Sequence, residues 1–274
     1  MKLIKTLSIA SLLLGGALLA EGYRENRQLD KDFFTIKSTK LNKKSDKIRV
    51  AHLSDTQFPR LKVSQSKILN TLTNEAPDII LFTGDTIDRT ENINTTELIY
   101  FLSKLTKIAP TFVISGNHEV TNAGFDQWRD IVSNSQATYL DNEVTEITLH
   151  NNKFNIVGIS NEEINLPTTE KEKINPNQET LVLAHHPENI HDYINNMDQS
   201  SINVFSGHAH GGQIIIPGVG GVFSPDQGML PDYTNGHYKL EENNLFVSRG
   251  LANSSFPVRL NNYPHLLFID IEGK

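Results

Sequence analysis

The sequence predicts an α/β protein built of packed sheets flanked by helices. Three observations carry that prediction. Apolar strand-like runs alternate with helix-like runs from Ile48 to Val132. Mainly strand-like sequence follows, which argues against a simple doubly wound sheet. Polar residues also gather just after the C-terminal ends of the strands, where open α/β sheets hold their ligands. With 274 residues and 38% hydrophobic content, the chain can bury one good core, so one large domain is the default.

Residues 1–22 stand apart from that domain. Lys2 and Lys5 precede a largely apolar segment, Leu7 to Ala20, which is the plan of a secretory signal. Leu18 would fill the −3 position for a cut after Ala20, a poor fit to a site that needs a small residue. The expectation is therefore an uncleaved anchor at the cell membrane with the remainder outside the cytoplasm, or a secreted form if the segment is cut. Residues 23–47 read as a polar tether containing a first strand, Phe33 to Ser38.

The main domain, 48–274, opens with a strand at Ile48–Leu53 that stops at Ser54-Asp55-Thr56-Gln57. Ile68, Leu69 and Leu72 lie at helical spacing within Ser66–Glu75, and Pro77 ends that helix. Asp78–Thr83 reads as a fully buried strand and runs into Gly84-Asp85-Thr86-Ile87-Asp88. The helix Thr95–Leu105 places Leu98, Phe101, Leu102 and Leu105 on one face, and the strand Thr111–Ser115 then leads into Gly116-Asn117-His118-Glu119. Phe125–Val132 reads as a helix that uses Trp128 for packing. Strands are expected at Glu143–Leu149, Lys153–Ile159, Glu179–Ala184, Ile202–Phe205, Gln213–Ile216, His237–Leu240, Leu245–Ser248 and Leu266–Ile271. Asn161–Gln178, rich in polar residues and proline, reads as a mobile loop.

Composition narrows the chemistry. A net charge of −7 argues against nucleic acid held on basic patches. The absence of cysteine removes disulfides, thiolate ligands, catalytic thiols and lipid-modified cysteine anchors. Any metal site must be made from His, Asp, Glu, Asn or Gln.

Five segments share one layout, an apolar strand followed by a turn with metal-competent side chains. They carry Asp55 and Gln57; Asp85 and Asp88; Asn117, His118 and Glu119; His185 and His186; and His208 and His210. Any one such turn is more often structural, since Asp, Asn and Gly are ordinary turn formers. Five at strand ends point to one shared site.

This ordered set, D-T-Q, G-D-T-I-D, G-N-H-E, A-H-H-P and G-H-A-H, resembles the calcineurin-like metallophosphoesterases. The later G-G-Q, P-G-V-G-G-V-F-S-P-D-Q-G and S-R-G-L-A-N-S stretches are similar to the exported bacterial branch of small phosphodiesterases in that superfamily. The resemblance implies a four-layer α/β/β/α sandwich of two mixed sheets flanked by helices. It also implies phosphoester hydrolysis by a hydroxide bridging two divalent cations. The carbonyl oxygen that Gln57 offers favours a harder ion, so Mn2+ is expected ahead of Zn2+ or Fe. One cation would be held by Asp55, Gln57, Asp85 and His210, the other by Asp85, Asn117, His185 and His208. His186 is the fallback for His185.

The family's usual histidine is replaced by Gln57, which puts the first cation in question and keeps a degenerate metal-binding surface scaffold as the reading from another class. His118 would serve the leaving oxygen, with Asp88 and Glu119 orienting the groups around it. Arg249 and Arg259 are candidates for gripping phosphate. The expected substrate is a small phosphodiester or a lipid- or nucleotide-linked pyrophosphate of the UDP-diacylglucosamine type. A lipid substrate would call for an apolar groove beside the metals, to which Phe223, Met229 and Leu230 are candidates to contribute.

Overall fold

The computed structural model describes residues 2–43, 46–197, 201–253 and 257–274. In chain order the elements are α1 (Lys2–Glu25), β1 (Asp30–Ser38), β2 (Lys47–Leu53), α2 (Gln65–Glu75), β3 (Ile79–Thr83), α3 (Thr95–Ile108), β4 (Thr111–Ile114), α4 (Asn117–Thr121), α5 (Phe125–Asn134) and β5 (Thr138–Tyr139). There follow β6 (Glu143–Leu149), β7 (Asn152–Gly158), α6 (Thr168–Lys171), β8 (Glu179–Leu183), α7 (Ile190–Met197), β9 (Asn203–Ser206) and two small ribbons. The ribbons pair β10 (Ile215–Ile216) with β11 (Gly220–Gly221), and β12 (Phe223–Ser224) with β13 (Gly228–Met229). The chain ends with β14 (Gly236–Leu240), β15 (Asn243–Val247) and β16 (His265–Gly273).

Two six-stranded sheets result, ordered β1-β16-β2-β3-β4-β5 and β14-β15-β9-β8-β7-β6. Both are mixed: β2 through β5 run parallel, as do β15, β9, β8 and β7, while β16 is antiparallel to β2 and β6 to β7. Strand alternation explains the layering. Ile48, Val50, Ile79 and Leu81 face inward to meet Phe154, Ile156, Leu181 and Phe205 of the second sheet. Their neighbours Ala51, Leu53, Ile80 and Phe82 face outward onto Ile68, Leu72, Leu98, Phe101 and Trp128 of the first helical layer. Val182 and Val204 of the second sheet pack on Ile190, Tyr193 and Met197 of α7. The architecture is the expected α/β/β/α sandwich. Burial on both faces is why the central strands read as unbroken apolar runs.

Several local expectations are corrected. Residues 30–38 form an edge strand in register with β16 from Asp30↔His265 to Ser38↔Gly273, so they belong to the first sheet. Asn161–Gln178 contains α6 and buries Leu166 and Ile174 against the second sheet, whose apolar face needs cover. Helix α7 was not anticipated, although Ile190, Tyr193, Ile194 and Met197 lie at helical spacing.

The membrane anchor is also corrected. Among the described residues no helix is long and apolar enough to cross a membrane. In α1 the uncharged stretch runs only from Thr6 to Ala20. At 1.5 Å per residue it spans about 22 Å of a hydrocarbon core about 30 Å thick. The end of α1 is instead bound to the domain. Asn26 Nδ2 donates to Pro257 O at 2.8 Å, and Asn262 N donates to the buried Glu25 carboxylate at 3.2 Å.

His52 shows how tightly this interior excludes charge. It is fully buried between the sheets, with Nε2 2.8 Å from Thr83 Oγ1 and its ring edge-on to Phe205. Burial, with a smaller contribution from His265, lowers its pKa from 6.5 to about 3. Between those values the unfolded chain binds a proton that the folded chain does not, so stability falls as pH falls. Urea titrations from pH 7 to pH 4 are expected to show this loss, approaching ~1.4 kcal/mol per pH unit from this residue alone. His52→Gln should remove that part of the slope.

Candidate metal centre

The five turns converge where the C-terminal ends of β2, β3 and β4 meet those of β8 and β9. Glycines allow the backbones to touch there. A Cβ at Gly207 would lie 1.8 Å from Ser54 Oγ, and one at Gly116 would lie 2.3 Å from Asp85 Oδ1. The candidate ligands themselves adopt left-handed backbone conformations, with φ of 54° at Asp55, 42° at Gln57, 50° at Asp85, 63° at His208 and 46° at His210. Such non-glycine residues cost of order 1–3 kcal/mol each and persist only when packing dictates them. Here the strain turns side chains inward from the strand ends.

Asp85 lies at the middle. Its Oδ1 is 3.4 Å from His185 Nε2 and accepts from the His118 backbone N–H at 2.9 Å. Its Oδ2 is 3.5 Å from Gln57 Nε2. Metal-competent atoms of Asp85, His185 and His208 form one close group, and those of Asp55, Asp85 and His210 form another. Asn117 joins the first through Oδ1, 3.2 Å from His185 Nε2. Gln57 joins the second, 3.2 Å from His210 Nε2. It is His185 that faces Asp85; His186 turns away, to Glu188 and Asn161.

The imidazoles are held by backbone carbonyls. His185 Nδ1 lies 2.7 Å from Thr83 O, and His210 Nδ1 lies 3.2 Å from Ala252 O, which leaves Nε2 of each for the centre. His208 is held at the other nitrogen, with Nε2 2.9 Å from Asp226 Oδ2. Burial keeps His210 down at about 3 and His208 well below its ordinary value, so both are neutral and able to ligate.

Burial pushes Asp55 up to about 7. It acts on Asp85 as well, but the neighbouring His185 and His118 outweigh it and hold that carboxyl well below the usual range. Burial alone would lower His185; Asp85 and Asp55 raise it to about 10. Two buried carboxylates therefore draw positive charge strongly. Gln57 Oε1 is buried without a hydrogen-bond partner. Oxygen and nitrogen of an amide exchange by a half-turn, so Gln57 can present its carbonyl to a cation at the centre. The donor set fits divalent metal binding.

Around the ligands, Glu119 ties two turns together. Its fully buried carboxylate accepts from the backbone N–H groups of Asp85 (2.8 Å), Gly116 (2.7 Å) and Ile87 (3.0 Å), and from Thr86 Oγ1 (2.9 Å). Trp128 Nε1 donates to the same Thr86 hydroxyl at 2.7 Å, consistent with a packing role. Asp88 Oδ2 accepts from Arg60 Nε at 3.0 Å and lies 3.8 Å from His118 Nδ1.

Arg259 is committed to internal acceptors, whereas Arg249 pairs with Asp30 and keeps Nε buried without a hydrogen-bond partner. Arg249 Nη2 donates to Asp30 Oδ2 at 2.7 Å. Arg259 is buried behind His210, with Nη2 donating to Ala252 O at 2.6 Å and Nε to Asn253 Oδ1 at 2.9 Å. It braces the loop that His210 contacts. Two residues at the site were not anticipated. Asp226 comes from a proline-glycine turn, and Asn262 holds His210 O and Gln213 O through Nδ2. Neither follows an apolar strand, so the strand-end pattern could not find them.

The sequence profile of calcineurin-like phosphoesterases matches residues 48–212. The chain belongs to this family of metal-binding hydrolases of phosphoesters. It is similar to the metallophosphoesterase YkuE of Bacillus subtilis, 27% identical over 97% of this chain and 94% of that one. The phosphodiesterase YaeI of Escherichia coli is also 27% identical, over 81% of this chain and 82% of its own. Among solved structures, a dimetal phosphatase from Danio rerio aligns with a TM-score of 0.47 at 11% identity, over 76% of this chain and 88% of that one.

Glu119→Ala would leave several buried donors unpaired. It is expected to destabilise the fold by about 3 kcal/mol or more in chemical denaturation. Glu119→Gln, which retains one carbonyl acceptor, should cost less.

Proposed function

We propose that the chain hydrolyses phosphodiesters with two divalent cations held side by side. The observation that carries this reading is Asp85, a buried carboxylate common to both groups of metal-competent atoms. On this reading Asp55, Gln57, Asp85 and His210 hold one cation, and Asp85, Asn117, His185 and His208 hold the other. The oxygen ligands Asp55, Gln57 and Asp85 favour a hard ion at the first position, so Mn2+ is preferred ahead of Zn2+ or Fe. When bound, such a pair supplies positive charge to phosphoryl oxygens and acidifies water for attack.

The chain's own residues do the rest. His118 is buried, and its pKa is lowered by burial against the opposing pull of Asp85. Its Nε2 lies 3.6 Å from Asp85 Oδ2, beside the region a phosphoryl group would occupy, and its Nδ1 has no hydrogen-bond partner. Asp88, fixed by Thr90 and Arg60, faces that Nδ1 from 3.8 Å, a charge near the ring with no direct hydrogen bond to it. His118 is thus positioned to stabilise or protonate the leaving oxygen.

A second reading, hydrolysis of a lipid- or nucleotide-linked pyrophosphate, draws on the segment that carries Asp226. Phe223, Met229 and Leu230 there are 46%, 68% and 61% exposed, available to an acyl chain. Turnover that rises with acyl length and falls on replacing these three residues by serine would favour it over a small diester.

Turnover of a chromogenic phosphodiester is expected to require Mn2+ and to vanish on chelation and in Asp85→Asn. His118→Ala should lower kcat by roughly 10²–10⁴-fold while metal content stays unchanged. Full activity in that variant would remove His118 from the chemistry. Bound metal without turnover of any phosphodiester, monoester or pyrophosphate would return the scaffold reading.

A further inference from the structure

A second cluster of metal-competent side chains lies beside the centre, and His186, Glu188 and Asp226 in it take no part in the proposed reaction. His186 and Glu188 come from the turn after β8, His208 from the turn after β9, and Asp226 from the segment 213–230 that carries the two ribbons. Ligating atoms of all four lie within 4.8 Å of one another. His186 Nδ1 is 2.9 Å from Glu188 Oε1 and 3.8 Å from Asp226 Oδ2, while the rings of His186 and His208 are 4.1 Å apart.

Two features point to a cation here. His186 Nδ1 lies 2.9 Å from Glu188 Oε1, and the second oxygen of that carboxylate, Oε2, is buried with no hydrogen-bond partner. The other is a cavity of about 390 Å³ bordered by Asn161, Glu162, His185, His186, Glu188 and Asp226, whose lining holds three carboxylates and no lysine or arginine to neutralise them.

We propose that His186 Nδ1, Glu188 and Asp226 form a further divalent-cation site, distinct from the two positions around Asp85. One imidazole and two carboxylates suit Zn2+, with the remaining position open to the cavity. Asp226 has two oxygens, so Oδ2 can keep its bond to His208 while Oδ1 ligates. The site joins the 185–189 turn to the 213–230 segment, and a bound ion would latch that segment beside the catalytic centre.

The test counts metal in the full chain, because activity alone would confuse this site with the central one. The protein is loaded with Zn2+, desalted and assayed for zinc per chain. Circular dichroism confirms folding of each variant. Glu188→Gln is the decisive variant, since Asp226 also holds His208, and His186→Gln is the second. Three equivalents in the parent and two in both variants is the expected result. Zn2+ should also slow proteolysis within 213–230 in the parent and not in Glu188→Gln. Equal zinc in parent and variants, with no protection of the segment, overturns the latch site and leaves the two central positions intact. One equivalent that is lost in Glu188→Gln and His186→Gln supports the latch site and overturns the two-cation reading. A parent that retains no zinc overturns the site outright.

Discussion

Asp85 holds its carboxylate out of water at the seam between two sheets, and an unpaired charge in that position costs several kcal/mol. The surroundings are arranged to answer it. The His118 backbone N–H donates to it, and His185 and His118 stand beside it. Asp55, a second buried carboxylate, sharpens the demand for positive charge. A hydrophobic interior would not tolerate such a group without return. The return is a buried donor set able to hold a divalent metal ion.

Holding that group in place uses much of the local structure. Strand ends from both sheets must approach within contact distance, hence the glycines at 116 and 207 and the left-handed backbone at five candidate ligands. Glu119 then gathers the amide groups of two turns onto one carboxylate. Trp128 reaches the same network from the helical layer through Thr86. The far loops are tied as well, since Asn262 links Glu25 at the end of α1 to His210 O. Packing, polar satisfaction and site geometry are therefore one problem in this fold.

The same logic separates residues that look alike in sequence. His185 and His186 are adjacent, yet strand alternation sends the first to Asp85 and the second to Glu188 and Asn161. Arg249 and Arg259 both have the chemistry to bind phosphate, but Arg259 is held by internal acceptors, while Arg249 pairs Nη2 with Asp30 and leaves Nε unpartnered. Asp226 reaches His208 only because the ribbon-bearing segment folds back over the site.

The sequence by itself determined the layered α/β class and the identity of the candidate ligands. Both leave local traces: buried strands are apolar runs, and turns at strand ends must contain glycine and polar side chains. Helix α7 leaves an equal trace in the spacing of Ile190, Tyr193 and Met197. Only the tertiary structure decided what depends on contacts distant in sequence. It made 30–38 an edge strand by pairing it with β16, and it covered the second sheet with 161–178. It bound the end of α1 to the 257–262 loop and tied Arg259 to internal acceptors. It also brought Asp226 and Asn262 to the histidines. None of these pairings has a local sequence signal, because each depends on which acceptor or apolar face remains uncovered once the two sheets have packed.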